Sequence, residues 1–206
     1  GGGAPTILET AERNCRDLSK VKVAISTTMG YAAPPGECIS NSLLQVADNL
    51  SKRGMAVELV DPPLSWPVDA YNTLGWAEQA FALKSIVDVH GAIMDTDLVK
   101  IVEIGRRINI DEYLAASRKR AELSYAMRSF HEKYDILVTP SVPITAFSAL
   151  SIAPDTDDVL RMNDWLPYSS IVNMTGQPAV SVPGGFDDRG MPFGIQFVAA
   201  AGNDSL

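Results

Sequence analysis

The side chains most often used in catalysis are few in this sequence and lie far apart. The two histidines, His90 and His131, belong to no H-E-x-x-H pattern, and the two cysteines, Cys15 and Cys38, have no second pair near them. Neither the glycine-rich phosphate loops nor the G-x-S-x-G serine elbow occurs. The sequence therefore predicts no metal site and no organic cofactor.

Paired carboxylates and paired hydroxyls are the next candidates for acid–base or nucleophilic chemistry. Asp157 and Asp158 are adjacent in a stretch that we predict to be a surface loop, where neighbouring side chains diverge. Ser169 and Ser170 form the single Ser–Ser pair of the sequence, and tyrosine and isoleucine flank it instead of glycine. No complete catalytic set follows from spacing, and we predict no catalytic residue.

Five residues are candidates for contact with a substrate: Thr139, Pro140, Asn173, Gly176 and Gln196. Thr139 and Pro140 follow a predicted strand, at the end of the sheet where open α/β folds bind ligands. Asn173 and Gly176 lie at a sharp helix-to-strand turn, and Gln196 is a polar residue within an apolar strand. The alternative for each is a turn residue or a satisfied polar group of the core.

Hydrophobic periodicity predicts that an α/β unit positions these residues. Residues 21–25 and 55–60 are typical of buried strands, and apolar positions at helical spacing predict a helix from Glu37 to just before Gly54. A strand–helix–strand unit of this length normally joins parallel strands.

The middle of the chain is predicted to be helical. One helix is expected over residues 68–89, a second opens at Asp95 or Asp97, and a third follows an Asn109 cap with Glu112 three residues on. His90 is expected in a loop and His131 on the surface at a helix end. The basic patch is interpreted as a solvated helix face and comprises Arg118, Lys119, Arg120 and Arg128.

The last third of the chain changes to strands broken by proline and glycine. We predict a strand over 135–138 that Thr139-Pro140 ends at once, a surface loop over 144–164 and a helix over 165–175 that ends at Gly176. Strands over 179–182 and 193–199, with a turn over 184–190, predict an antiparallel hairpin. The predicted fold class is α/β, a mixed, mostly parallel sheet covered by helices with a C-terminal antiparallel hairpin.

Composition excludes several functional classes. The chain has 206 residues, of which 46% are hydrophobic and 20% charged, a mixture that can build a core. A net charge of −8 disfavours binding to nucleic acid, and no apolar run is long enough for a membrane span. Without a signal peptide we expect a cytoplasmic protein, and residues 1–4 fit an expression scar.

Three segments resemble the carboxy-terminal part of amidase-signature enzymes, a family that includes amidases and the A subunit of aminoacyl-tRNA amidotransferases. They are residues 134–143 (Y-D-I-L-V-T-P-S-V-P), 173–186 (N-M-T-G-Q-P-A-V-S-V-P-G-G-F) and 190–198 (G-M-P-F-G-I-Q-F-V). The resemblance spans most of residues 18–206. It implies a partial amidase-signature fold, hydrolysis of amide bonds and no cofactor.

The resemblance also implies a catalytic serine, a second serine in a cis peptide and a lysine, which the family carries in and before a Gly/Ser-rich signature. This sequence contains no Gly-Ser-Ser-Gly run. We therefore expect residues 1–206 to be one carboxy-terminal segment of an amidase domain, contributing scaffold and pocket wall for a small amide substrate. The alternative is a non-catalytic α/β module that binds a small molecule or a partner protein.

An excised segment would expose surface that the remainder of its domain covers. We expect a homo-oligomer that forms through the strand edge beside 179–182 or 193–199 or through exposed apolar surface. The amide substrate, and the choice between a free-standing amidase and one subunit of an amidotransferase, stay open.

Overall fold

The computed structural model describes residues 17–204. Cys15 and the suggested scar at residues 1–4 lie outside the described residues. Five strands form one sheet in the order β2-β1-β3-β5-β4. They are β1 (Lys22–Ile25), β2 (Ala56–Leu59), β3 (Ile136–Pro140), β4 (Ala179–Phe186) and β5 (Pro192–Ala199).

The sheet is mixed, as the sequence predicts. β1 pairs in parallel with β2 and with β3, which confirms the strand–helix–strand unit. β5 pairs antiparallel with β3 and with β4, which confirms the C-terminal hairpin. Two of the four strand pairs are therefore parallel.

Five α-helices cover the sheet, and their starts follow capping chemistry. They are α1 (Glu37–Lys52), α2 (Val68–His90), α3 (Thr96–Gly105), α4 (Ile110–His131) and α5 (Pro167–Thr175). The Asp95 carboxylate accepts the backbone N–H groups of Asp97 and Leu98 at the start of α3. Asn109 and Glu112 form the predicted capping box of α4.

Helices lie on both faces of the sheet because side chains alternate along each strand. On one face, Val23 and Ile25 pack against Ile39 and Leu43 of α1. On the other face, Ala24 and Leu137 pack against residues of α4 and α5. α2 lies outside this layer and contacts α3, α4 and α5.

The predicted end of β3 before Thr139-Pro140 is wrong. Thr139 and Pro140 continue the strand and pair with Gln196 and Ile195 of β5. The proline is tolerated because its nitrogen points away from β5, towards β1, which has already ended at Ile25. The chain leaves the sheet only after the Ser141 N–H has bonded to the Gly194 carbonyl.

The hairpin is longer than predicted, because β4 continues through Pro183, Gly184 and Gly185 to Phe186. An irregular register between Pro183 and Gly185 absorbs these residues, so they are strand and not turn. β5 lies between β3 and β4, so residues 193–199 offer no free edge. Of the two strands proposed as edges for association, only β4 is an edge strand of the described sheet.

The prediction for His90 is wrong, and that for His131 is right about the helix end but wrong about the surface. His90 is the last residue of α2 and not part of a loop, while His131 ends α4 with its ring half-buried. Within residues 17–204, no helix is both long and apolar enough to cross a membrane. Over the same range, no three potential metal-ligating side chains come together.

Candidate functional site

The strand register places a line of polar side chains across one face of the sheet. Thr139 of β3 lies opposite Gln196 of β5, which lies opposite Ser181 of β4. Ser26 follows the last residue of β1, and its N–H bonds to the Val138 carbonyl, which places it beside Thr139. We call these four residues, Ser26, Thr139, Gln196 and Ser181, the polar row.

The centre of the polar row is buried and internally bonded. Thr139 is 0% exposed and Gln196 is 7% exposed. The Gln196 side-chain amide donates to the Thr139 hydroxyl at 3.2 Å, and this hydroxyl donates to the Pro140 carbonyl at 2.9 Å. Gln196 thus finds the partner that a buried amide requires.

The row opens to solvent at the hydroxyls of Ser181 and Ser141, whose oxygens are 2.5 Å apart. Gly194 lies between them, and a Cβ at this position would lie 2.7 Å from both oxygens. The glycine therefore leaves room for the two hydroxyls to meet. Sequence reasoning missed this pair, although Ser141 lies two residues after Thr139 and so falls on the same face.

The β1 end of the row is held by a carboxylate. The hydroxyls of Ser26 and Thr28 donate to the two oxygens of Asp61 at 2.6 and 2.8 Å. The Met29 N–H donates to the Ser26 hydroxyl, and Met29 has a φ of 55°, a strained backbone that often marks functional sites. Burial, with a smaller contribution from Asp61, raises the pKa of the nearby Tyr168 to about 12, so this phenol stays protonated.

The other predicted site residues lie apart from the row. Pro140 contributes its carbonyl to the row, but its ring lies on the opposite face of β3 from the Thr139 side chain. Gly176 ends α5 with a left-handed φ of 71°, which explains the glycine by conformation alone. Asn173 is exposed on α5 and lines a separate cavity of about 380 Å³.

This second cavity lies between α2, α4 and α5, and we call it the Arg120 cavity. Its lining includes Asn72, Trp76, Glu78, Arg120, Asn163 and Asn173. The Asn163 amide donates to the Asn72 carbonyl oxygen at 2.7 Å, whereas the Asn72 amide reaches the Leu160 carbonyl only at 3.5 Å. None of the ion pairs within residues 17–204 involves the guanidinium of Arg120. Arg120, interpreted from the sequence as part of a solvated face, thus also contributes to a polar cavity.

Comparison with known proteins decides the family. The family model described as Amidase matches residues 4–206. The chain belongs to the amidase family. The resemblance seen in the three sequence segments is therefore confirmed.

Curated relatives of this amidase-family chain include components of an amidotransferase. It is 26% identical over 217 residues to the A subunit of glutamyl-tRNA(Gln) amidotransferase from Agathobacter rectalis, a match that covers 93% of this chain and 42% of that protein. With the corresponding protein of Prochlorococcus marinus it shares 40% identity over 87 residues, which cover 42% of this chain and 17% of that protein. The chain thus spans less than half of the curated relatives that it matches.

Solved structures share the fold. A 6-aminohexanoate cyclic dimer hydrolase matches with a TM-score of 0.81 and 19% identity, covering 100% of this chain and 46% of that one. A bacterial aryl acylamidase of the amidase-signature family matches with a TM-score of 0.78 and 19% identity, covering 96% of this chain and 43% of that one. The A subunit of glutamyl-tRNA(Gln) amidotransferase from Thermotoga maritima matches with a TM-score of 0.61 and 21% identity. This match covers 92% of this chain and 40% of that one. The amidase-family chain therefore has the same fold as the matching part of these structures.

Proposed function

We propose that this chain supplies the scaffold and part of the substrate-binding wall of an amide-bond hydrolase. The nucleophile and base would come from the part of the amidase domain that the chain does not span. The proposal is supported by family membership together with a coverage of 42–46% in matches that include nearly the whole of this chain. Residues 1–206 would then be one carboxy-terminal segment of that domain.

The observation that carries the proposal is the chemistry of the polar row. Its buried centre, Thr139 and Gln196, fixes the carboxyl end of β3, and beside it the hydroxyls of Ser181 and Ser141 are presented to solvent. Within residues 17–204, the hydrogen bonds of Ser141 and Ser181 reach neither a lysine nor a histidine that could act as a base. A serine without a base is a weak nucleophile, whereas hydroxyls and amides are suited to orienting a substrate.

The substrate-binding wall would have two separate parts. It would include the five residues predicted from the sequence, namely Thr139, Pro140, Asn173, Gly176 and Gln196. Thr139, the Pro140 carbonyl and Gln196 hold the row, and Asn173 faces the Arg120 cavity, with Gly176 fixing the turn behind it. The cavity lining holds the Arg120 guanidinium, several amide side chains and the Glu78 carboxylate, and the guanidinium can bind an anionic oxygen of the bound molecule. We therefore include in the proposal an amide substrate that carries a carboxylate.

The first experiment assays the purified 206-residue chain with an aryl amide, for example a 4-nitroanilide. We expect no hydrolysis above background, because binding and orientation alone give little rate. The longer polypeptide that carries the family's Gly/Ser-rich signature should hydrolyse the same compound. Turnover by the short chain, abolished by a serine-directed inhibitor, would contradict the proposal. Inactivity of the longer polypeptide with every amide tested would favour a non-catalytic binding module.

The edge strand β4 supports a proposal about association. Val180 is 56% and Phe186 71% exposed, and β4 pairs only with β5 among the described strands. Val180 and Val182 also border an apolar hollow of about 620 Å³ together with Ile136 and Phe197. We propose that the remaining part of the amidase domain covers this surface, and that two copies of the isolated chain pair through it.

Light scattering tests this association. We expect the isolated chain to be dimeric or larger at high concentration, and Val180→Lys to shift it towards monomer, since a charge on an edge strand opposes pairing. The matched control is Lys52→Ala, at the exposed end of α1 away from β4, which should leave the distribution unchanged. A clean monomer at high concentration, with no binding of a dye for apolar surface, would contradict the association.

A further inference from the structure

His131 lies at the junction where α4 ends and the chain turns into β3. Its Nδ1 is 3.0 Å from the carbonyl oxygen of Tyr134. A carbonyl can only accept a hydrogen bond, so Nδ1 carries the proton and Nε2 of the neutral ring is left with a lone pair. Nε2 is buried and has no hydrogen-bond partner within residues 17–204.

This arrangement suits the neutral ring and not the charged one. Protonation would place an N–H at Nε2, where the described residues offer it no acceptor and water has no access. The ring also packs edge-on against Phe130, with centroids 5.9 Å apart. A charged imidazolium could regain solvation only by leaving this position.

The surroundings give the ring a place to move. A cavity of about 330 Å³ adjoins it, lined by residues from α4, from the end of α5 and from the chain after β5. The lining residues are Ser124, Arg128, His131, Glu132, Thr175, Gln177, Ala200 and Ala201.

Charged groups near the ring come only from α4 and the turn after it, among the described residues. Arg128 and Glu132 line the cavity, and Asp135 follows in the turn, where its carboxylate accepts the Lys22 N–H at 2.9 Å. Lys133 is turned towards Glu58 and the Tyr134 hydroxyl. α5 and the segments that follow α5 and β5 contribute only the uncharged residues of the cavity wall.

We propose that His131 is an acid-sensitive switch: when the ring takes up a proton it leaves its site, and the junction between α4 and β3 loosens. The junction is held by the Tyr134 N–H bonded to the Phe130 carbonyl and by the Asp135 N–H bonded to the Lys22 carbonyl. Loss of the Nδ1–Tyr134 bond removes the side-chain tie across the same turn. The switch is independent of the proposed amide chemistry, because it lies at the opposite end of β3 from the polar row.

The direction of the pH effect follows from burial. Burial lowers the pKa of His131 below its usual 6.5, and the Tyr134 hydrogen bond and Asp135 only partly oppose this. Between the two values the unfolded chain binds more protons than the folded one. The stability that the neutral His131 ring contributes is therefore fully present above pH 6.5, and it is lost as the pH decreases towards the folded-state pKa.

The test uses the fact that the chain contains only two histidines. In the His90→Asn variant a single imidazole signal remains, and its NMR titration should have a midpoint below 6.5. Amide exchange at Tyr134 and Asp135, corrected for the intrinsic pH dependence, should accelerate as the pH falls from 7 to 5, and at each pH the opening free energy of these two amides should be lower than that of Leu43 in α1, because the junction opens without global unfolding. For each pH unit between the two pKa values, we expect about a tenfold loss of the folding equilibrium constant.

The matched variant is His131→Asn, which keeps a donor for the Tyr134 carbonyl but cannot titrate. It should lose the acid-induced exchange that the His90→Asn protein retains. A midpoint at or above 6.5, or equal opening free energies at Leu43 and Tyr134, would overturn the switch. The titration of the His90→Asn protein decides the proposal even where the substitution at 131 prevents folding.

Discussion

The polar row and the Arg120 cavity are built in opposite ways. In the row, strand pairing places Thr139 opposite Gln196, and the two buried, uncharged side chains form a hydrogen bond with each other. In the cavity, three helices leave a space in which Arg120 and Asn173 face outward. The difference indicates two tasks: the buried centre of the row, Thr139 and Gln196, holds the sheet together, while the exposed Ser181 at its end and the polar groups of the cavity are available to a ligand. Substitutions at the buried centre of the row should therefore cost stability, and substitutions of the cavity's polar groups should cost binding.

The largest expected effect concerns the helix packing behind the Arg120 cavity. A Cβ at Gly105 of α3 would lie 2.0 Å from the Trp76 carbonyl oxygen and 2.8 Å from the Ala80 Cβ. Backbone cannot yield at that distance, so Gly105→Ala should lower the free energy of unfolding in urea by about 3 kcal/mol. The control is Gly75→Ala on α2, where nothing lies within 4 Å; it should stabilise the helix by about 0.5–1 kcal/mol. Equal effects of the two changes would show that α2 and α3 are not closely packed.

A smaller loss is expected from Thr139→Val in the row. The change keeps the shape of the side chain but leaves the buried Gln196 amide without its partner, at a cost of about 2 kcal/mol in thermal or urea unfolding. Ser181→Ala at the exposed end of the same row should change stability by less than about 0.5 kcal/mol. If both variants were equally stable, the row would not hold the sheet and the contrast with the cavity would fail.

Much of the fold could be predicted because its signals are local. The capping box at Asn109, the left-handed Gly176 and the β1-α1-β2 unit follow from residues within a few positions of each other. The end of β3 could not be predicted in this way, because the tolerance for Pro140 depends on where β1 ends, more than a hundred residues earlier. The length of β4 likewise depends on an irregular pairing with β5 that no local pattern shows.

The candidate site was predictable in kind but not in arrangement. The sequence marks Thr139 and Gln196 as polar groups at a strand end and within a strand, yet only the register of β3 against β5 brings them together. Arg120 belongs to a basic helix face by sequence, and its position in a cavity depends on the packing of α2 and α5 against α4. Helical spacing specifies which residues share a face but not what the neighbouring helices leave uncovered.

At the cavity, the expected change is in binding and not in stability. Asn173 is exposed, so Asn173→Ala should change the free energy of unfolding by less than about 0.5 kcal/mol and leave the melting temperature almost unaltered. Binding of N-benzoylglycine, followed by NMR shifts, should weaken in this variant and in Arg120→Gln, because each removes a polar contact of the cavity. N-benzoylglycinamide, which lacks the carboxylate, is the matched ligand and should not distinguish Arg120→Gln from the unchanged chain. Unaltered binding with a lowered melting temperature would contradict the ligand role of Asn173.

The smallest expected effect concerns Asp187, the carboxylate that ties the loop after the row to the tip of the β4–β5 hairpin. The N–H of Met191 first, then Thr145 and Arg189, lower the pKa of Asp187 from 3.8 to about 2. Since the folded-state pKa is lowered, the stabilisation is complete above pH 3.8 and is lost as the pH falls towards 2. Asp187→Asn should therefore reduce the urea midpoint at pH 5 and show a flatter decline between pH 4 and 2 than the unchanged chain. The control is Asp188→Asn at the neighbouring exposed position, which should leave the decline in stability between pH 4 and 2 unchanged. An identical decline in all three proteins would show that the Asp187–Thr145 contact does not secure the loop beside Ser141.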